Sequence, residues 1–346
     1  SGGGGNYGNS EDYTITFCAT AGQQILIDFG MSGAGTFWVE ENFDYLDVYD
    51  GTSTAGQYLG RADGTEFFLA SSTTGCLHLV WHSDGSVTEE GWQASISCVA
   101  TGSGTPTEQD CFNAIPICGD TYTQTNSYTG SGNYPNEING VSSCLRYGEK
   151  NDVWYVFNVQ QNGNLGFELT PSTTDDYDWA VYNLTNADCD DIFHDPSLEV
   201  SCNYAALTGT TGPNGGSTYT HQDASGTNYN ATIPVNVGET YVINVSNWTQ
   251  TQGYTIDFSM ASGVIIDNTP PVLDQITGAP ACGDNTITFE FSENVECSSV
   301  QTTDFTITGP GGPYTITAVN STVCNSGGDY DRTYTLTISP ALTAGG

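Results

Sequence analysis

The chain is predicted to be all-β, a string of tandem β-sandwich domains, and three observations carry that expectation. Apolar residues alternate with polar ones at period two, as in Tyr13, Ile15 and Phe17, in Phe157 and Val159, in Ile287, Phe289 and Phe291, and in Tyr334, Leu336 and Ile338, the pattern of half-buried strands. No segment sustains an apolar stripe at helical spacing over about a dozen residues, so helices are expected as short turns at most. At 346 residues the chain exceeds one ordinary sandwich and suits two or three domains with cores of their own. Two punctuated stretches divide it, the small-residue run Val-Ala-Thr-Gly-Ser-Gly-Thr-Pro-Thr from Val99 to Thr107 and the Pro-stiffened Asp-Asn-Thr-Pro-Pro from Asp267 to Pro271. The modules expected are 1–99, 100–266 and 267–346.

Forty Asp and Glu face four basic residues, Arg61, Arg146, Lys150 and Arg332, for a formal charge of −36. Nucleic acid and anionic membranes would be repelled, so neither is expected as a partner. Charged residues are nevertheless only 13% of the chain, about half the globular norm, which leaves much of the surface to Thr, Ser, Asn and Gly. That composition suits an extracellular or high-salt setting rich in divalent cations. Eleven cysteines with no Cys-x-x-Cys or paired Cys/His spacing favour disulfides over zinc and an oxidising compartment. No apolar run approaches the roughly eighteen residues of a membrane span, so membrane insertion is not expected. The opening Ser1-Gly-Gly-Gly-Gly reads as the start of a processed or excised piece, with further modules of the same polypeptide expected around it.

In the first module, Phe43-Asp44-Tyr45-Leu46-Asp47-Val48-Tyr49-Asp50-Gly51 is answered by Ser83-Asp84-Gly85-Ser86 and by Gly91-Trp92. These pieces resemble the signature of a CUB domain, an extracellular β-sandwich that often carries a calcium ion. The resemblance covers about 85 residues. It implies an ion held by a Glu upstream of the Phe-Asp motif, by Asp44 and by Asp84, with carbonyls near Gly85 and Ser86 as further ligands. Glu40 and Glu41 both stand at the upstream place, and the choice between them is open. A hard cation wants about six to eight oxygens, several of them carboxylate, at loop ends on a rigid scaffold. The plainer reading is that these acids are solvated loop ends in an acid-rich chain. The chain departs from the family in lacking the Cys just before the motif and the Cys-Gly after it, so its disulfides should differ. If Cys76–Trp81 and Trp92–Cys98 form a hairpin, a register with His78 opposite Ile96 and Val80 opposite Ala94 sets Cys76 against Cys98. A bond between Cys18 and Cys98 is the rival.

The middle module runs from Cys111-Phe-Asn-Ala-Ile-Pro-Ile-Cys118 through Gly148-Glu-Lys-Asn-Asp-Val-Trp-Tyr-Val-Phe157 and Asp175-Asp-Tyr-Asp-Trp-Ala-Val-Tyr-Asn-Leu184 to Val200-Ser-Cys202. It resembles a secreted domain of Bacteroidetes surface proteins, including gliding-motility adhesins exported by type IX secretion. That resemblance speaks to lineage and location more than to activity. Asp175, Asp176 and Asp178, with Asp188, Asp190 and Asp191, are candidates for a second cation site or an exposed acidic loop. Tyr177, Trp179 and Tyr182 are expected to pack in the core rather than to form a sugar platform.

The last module, from Asn285 to Val300 and on through Asp304-Phe-Thr-Ile-Thr-Gly309, resembles bacterial immunoglobulin-like repeats, which act as spacers. It shows strand-like runs near 285–292, 304–309, 314–319 and 333–339, fewer than the roughly seven of a whole sandwich, and reads as incomplete. Cys282 and Cys324 are the candidate pair there, with Cys297 awaiting a cysteine beyond Gly346.

His78 and His82 lie four apart on a strand-like segment with Leu79 between them, where a helical zinc-protease motif would need a Glu. No nucleophile elbow, P-loop or dinucleotide fingerprint occurs, and His194 and His221 fall in loops. The reading is therefore a non-catalytic part of a secreted or bacterial cell-surface adhesin, calcium-stiffened, whose partner is an extracellular glycan, protein or surface. The alternatives are the accessory modules of a secreted protease or glycoside hydrolase, and a subunit of an extracellular filament or sheath.

Overall fold

The structure is a computed structural model that describes residues 5–31, 33, 35–102, 106–117, 119–125, 128–248, 253–262, 271–278, 280–309, 311–325 and 330–343. It is all-β, with several sheets and only short turns of helix, such as Cys189–Ile192 and Thr322–Asn325. In chain order the first group of strands is β1 (Asp12–Cys18), β2 (Gln23–Asp28), β3 (Thr36–Trp38), β4 (Tyr45–Asp50), β5 (Gln57–Asp63), β6 (Leu69–Ser71), β7 (Cys76–His82), β8 (Gly91–Gln93) and β9 (Ser95–Ala100). Sheet β1-β7-β4-β5 packs against sheet β6-β2-β9. Val48, Leu77 and Leu79 from one and Ile25, Ile27 and Ala70 from the other share a core with Phe29, Phe37 and Trp81.

The alternation in β1 does make a strand, but not a half-buried one. Tyr13 and Ile15 are 40% and 41% exposed, although they share a face with the buried Trp81 and Leu79 opposite them. The reason is position. β1 is the last strand of its sheet, and β9, the last strand of the facing sheet, leaves it uncovered. Ile96 on β9 is likewise 46% exposed on the face of buried Ile27.

The expected hairpin between Cys76–Trp81 and Trp92–Cys98 does not form. β7 lies between β1 and β4, while β9 pairs with β2 in the other sheet. After the 83–90 turn the chain passes through β8, which pairs with β3, before β9 enters the facing sheet, so β7 and β9 are not neighbours. The register argument holds for a different partner, since β1 sets Cys18 directly opposite Cys76 and the two are bonded. Cys98 is an exposed free thiol, which removes both the Cys76–Cys98 pair and its rival Cys18–Cys98.

The second group comprises β10 (Ile115–Pro116), β11 (Thr121–Gln124), β12 (Val153–Asn158), β13 (Gly163–Leu165), β14 (Glu168–Pro171), β15 (Tyr177–Asn183), β16 (Glu199–Asn203), β17 (His221–Gln222), β18 (Ile233–Val235), β19 (Thr240–Asn247) and β20 (Tyr254–Asp257). A sheet of order β10-β12-β19-β15-β16-β17 is faced by β11-β20-β14 and β13-β18. Its central strands are buried on both sides. Tyr177, Trp179 and Val181 of β15 pack into the core between the sheets, while Ala180 and Tyr182 pack beneath the 111–145 segment. Disulfides Cys111–Cys189 and Cys144–Cys202 staple that outer layer down. Cys118 lies outside the described residues. The three aromatics are core, as their alternation suggested, and Trp179 Nε1 donates to Thr211 Oγ1 at 2.9 Å.

The same segment closes onto the first sandwich. Val141 and Phe193 complete the first core, Asn139 Nδ2 donates to the Leu59 carbonyl at 2.9 Å, and Arg146 pairs with Glu66 at 3.0 Å. Gly60, at φ +148°, is required at this seam, because a Cβ there would stand 2.9 Å from Val141 Cγ1.

A last sheet holds β21 (Leu273–Thr277), β22 (Thr286–Glu296), β23 (Thr315–Asn320) and β24 (Tyr330–Ser339) in the order β21-β22-β24-β23. The run at 304–309 is not a strand, and Leu273–Thr277 takes the fourth place instead. Phe289, Tyr334, Leu336 and Ile338 form its core. Cys297 is bonded to Cys324 and Cys282 is free and exposed, which overturns the Cys282–Cys324 pair and the outside partner for Cys297. The short helical turns at Cys297–Ser299 and Thr322–Asn325 bring those two cysteines together at the sheet end. Peptide mapping without reduction should therefore recover Cys18–Cys76 and Cys297–Cys324 as linked peptides, with Cys98 and Cys282 open to alkylation. A Cys76–Cys98 or Cys282–Cys324 peptide would refute these pairings.

Beneath the second sheet lie acids that form no ion pair among the described residues. Glu137 accepts from the Cys111 N–H at 2.9 Å, Glu149 from the Glu137 N–H at 2.8 Å, and Asp152 from Asn244 Nδ2 at 2.7 Å. Burial pushes the Glu137 and Asp152 carboxyls up to about 8, from ordinary values of 4.5 and 3.8. The folded chain thus keeps protons that the unfolded chain has released. Their contribution is whole below about pH 4 and is lost as pH rises through about 8. Urea midpoints should fall from about pH 5 to about pH 9, and Glu137→Gln should flatten that slope. A slope unchanged in the variant would count against these protons.

Candidate metal centre

Tyr45 on β4 pairs with His82 on β7, so the residue before β4 and those just after β7 emerge at one end of the first sandwich. A turn over 40–44, in which the Asp44 N–H donates to the Glu40 carbonyl at 3.1 Å, brings Glu40 to the same place. Asn42 sits in that turn at φ +67°. Carboxylate oxygens of Glu40, Asp44 and Asp84 all lie within 4.8 Å of one another.

Asp44 is wholly buried. Its Oδ1 accepts the Asp84 N–H at 2.6 Å and its Oδ2 accepts the Tyr7 hydroxyl. That hydroxyl in turn accepts the Glu40 N–H at 3.1 Å, and the Tyr7 ring meets Trp81 edge-on at 5.0 Å. Burial, with the bond to Asp44, pushes the Tyr7 phenol up to about 12, so it stays a donor. Glu40 Oε2 is buried without a hydrogen-bond partner. Loss of solvation, then Asp84, Asp44 and Glu89, hold the Glu40 carboxyl above its ordinary range.

The basic side chains are engaged elsewhere: Arg61 on Asp47, Arg146 on Glu66, Lys150 over Trp248, and Arg332 beside Glu290. Three converging acids, one with an orphaned oxygen and none facing a base, make a donor set that fits a hard divalent cation. Remaining ligands would come from carbonyls and water.

The expected residues separate here. Glu40, Asp44 and Asp84 come together, whereas Glu41 is exposed and turned toward Gly64. Gly85 and Ser86 are exposed in the turn, where the Ser86 N–H donates to Asp84 Oδ1 at 2.8 Å. Tyr7 and Glu89 were not anticipated. The one signal for Tyr7 is an isolated aromatic in a glycine-rich opening.

The six acids of the middle module do not gather. Asp188 and Asp191 form a capping box on helix Cys189–Ile192, Asp175 accepts from Thr173 Oγ1 at 2.6 Å, and Asp176 and Asp178 face a separate cavity. Cys144 and Cys202 lie with Glu199, but their sulfurs are bonded to each other. The histidines are built into the strands and loops. His78 Nδ1 meets Thr16 Oγ1 at 2.7 Å, His82 meets Asp12 at 2.6 Å, His194 packs on Phe193, and His221 lies 3.4 Å from Glu199.

No family model matches the chain. Among solved structures it is similar to the CUB1-EGF-CUB2 domain of human MASP-1/3, at 12% identity and a TM-score of 0.24 over 72% of this chain and 93% of that one. The CUB1-EGF-CUB2 domains of rat MASP-1 match at 12% identity and 0.23, over 72% and 92%. The full extracellular region of zebrafish Gpr126/Adgrg6 matches at 12% and 0.24, over 96% and 49%.

Tyr7→Phe tests the geometry of the site. Removing the hydroxyl takes a donor from buried Asp44 and should cost about 1–3 kcal/mol, read as a lower urea midpoint. An unchanged midpoint would show that Tyr7 does not brace the site.

Proposed function

We propose that this chain is a calcium-stiffened, non-catalytic part of a secreted or cell-surface adhesin, built of modules at 1–99, 100–266 and 267–346. The observation that carries the reading is the convergence of Glu40, Asp44 and Asp84 at a loop end without a cation of the chain's own. An ion there would tie the 40–44 turn to the turn after β7, fixing the loops at one end of the sandwich for contact with a glycan, protein or surface. Four disulfides support an oxidising, extracellular setting. The histidines support a non-catalytic role, since each lies in the structural contacts given above.

Ligand that binds only the native state adds RT ln(1 + [L]/Kd), about 2.7 kcal/mol at about a hundred times Kd. Calcium should therefore raise the melting temperature, chelation should lower it, and Asp84→Ala should remove the difference while Glu41→Ala keeps it. A melting curve indifferent to calcium in a metal-free sample would sink the proposal. Adhesion is tested separately, by binding of the fragment to a glycan array and to cell-surface protein with and without calcium. Turnover of a polysaccharide, protein or ester, lost on mutating one carboxylate pair, would overturn the non-catalytic reading.

The uncovered edge of β1 and β9, with Tyr13, Ile15 and Ile96 exposed, favours a second reading as a filament or sheath subunit. Concentration-dependent association abolished by Ile15→Lys would support it, because a charged edge resists pairing.

A further inference from the structure

Where the first two groups of sheets meet there is a cavity of about 270 Å³, lined by Met31, Phe67, Asp176, Asp178, Tyr204 and Trp248 among others. It shares no residue with the Glu40–Asp44–Asp84 centre. Its walls are aromatic and apolar. Tyr204 and Trp248 meet edge-on at 6.2 Å, and the Tyr204 hydroxyl lies 3.8 Å from Met31 Sδ. Phe67, 49% exposed, stands at the mouth.

Two acids break this apolar lining. Asp178 is 5% exposed, and among the described residues no donor reaches its carboxylate. Asp176 Oδ1 is buried without a hydrogen-bond partner. Burial holds the Asp176 carboxyl up at about 6 and the Asp178 carboxyl well above its ordinary range. Lys150 is the nearby base, but its ammonium lies 3.4 Å over the Trp248 ring and 4.5 Å over the Tyr147 ring and makes no ion pair with either acid.

A buried carboxylate without donors demands them from whatever enters. A quaternary ammonium has no N–H to offer, a neutral molecule brings no charge, and an anion would be repelled. A guanidinium brings five N–H groups in a plane that stacks on aromatic rings. The chain's own arginines, Arg61, Arg146 and Arg332, lie against Asp47, Glu66 and Glu290, so the occupant comes from a different molecule. We propose that this cavity binds an alkylguanidinium cation, with Asp176 and Asp178 accepting its N–H groups and the mutually perpendicular rings of Tyr204 and Trp248 flanking it, one on its plane and the other at its edge. The cation is either a free small molecule or an arginine side chain of a partner protein.

The test is calorimetric titration of the intact chain with agmatine, with a Gly-Arg-Gly peptide, and with the matched Gly-citrulline-Gly peptide as neutral counterpart. At least one guanidinium probe is expected to bind at least tenfold more tightly than the citrulline peptide, and Asp178→Asn, nearly isosteric with the protonated acid, should weaken it about tenfold. Preference for the Arg peptide assigns the cation to a partner's side chain, and preference for agmatine to a free ligand. Phe67→Ala, at a half-exposed position the core does not need, should also weaken binding severalfold and serves if Asp178→Asn does not fold. Equal binding of the arginine and citrulline peptides, no binding of either guanidinium probe at millimolar concentration, or affinity unchanged in a folded variant would overturn the proposal. Calcium and chelator leave these outcomes untouched, so failure here is separable from failure of the calcium reading.

Discussion

Scarcity of positive charge governs this structure. With forty acids and four bases, ion pairs can answer only a few carboxylates, and the remainder need backbone N–H groups, hydroxyls, retained protons or an ion from outside. Asp50 shows the first solution, accepting the N–H and hydroxyl groups of both Thr73 and Thr74. Asp110 does the same with Thr107 and the Tyr134 N–H. Such bonds to a charged acceptor are among the stronger ones available to a fold. They also tie loop to strand, so the acids act as fasteners wherever donors suffice. Where burial outweighs the few donors present, as at Glu137 and Asp152, protonation takes over. At Glu40, and at Asp176 and Asp178, the shortfall faces a loop end or a cavity, and there the chemistry points outward.

How much of this was legible in the sequence depended on how local the determining fact was. The class followed from period-two alternation, and the approach of Asp44 to Asp84 from the motifs flanking two strands. Exposure of Tyr13 and Ile15 was hidden, because alternation reports which face a residue takes and not whether another strand covers it. The Cys18–Cys76 pair was hidden for a related reason. Register arithmetic places residues opposite one another once the partner is known, but the chain leaves β7 for β8 and then the facing sheet, and the strand that sets Cys18 against Cys76 lies far upstream, as the separation of 58 between the two cysteines records. Glu40 over Glu41 depends on the turn over 40–44, in which the Asp44 N–H donates to the Glu40 carbonyl, and no spacing rule reveals it. The Asp176–Asp178 cavity needed both groups of sheets in place before it existed.

The seam between those groups is built from small and rigid contacts: Gly60 against Val141, the Asn139 amide on a strand carbonyl, and the Leu69 N–H donating to the Arg146 carbonyl at 2.9 Å. Val141 and Phe193 also bury apolar side chains in the first core, so the seam joins apolar burial to contacts that fix orientation. The Cys111–Cys189 and Cys144–Cys202 bonds hold the intervening segment that supplies them, so the seam inherits its rigidity from the second sandwich.

The bond between Cys18 and Cys76 closes the far end of the β1–β7 ladder, whose other end pairs Asp12 with His82. A tensile load entering at the amino terminus would peel β1 away from Asp12 onward, one rung at a time. It would stop at Cys18. From there the covalent link passes the force to β7, which remains paired with β4 along its other edge. The outermost strand of the first sandwich thus serves as a short tether of fixed travel, yielding easily at small extension and stiffening once its slack is taken up.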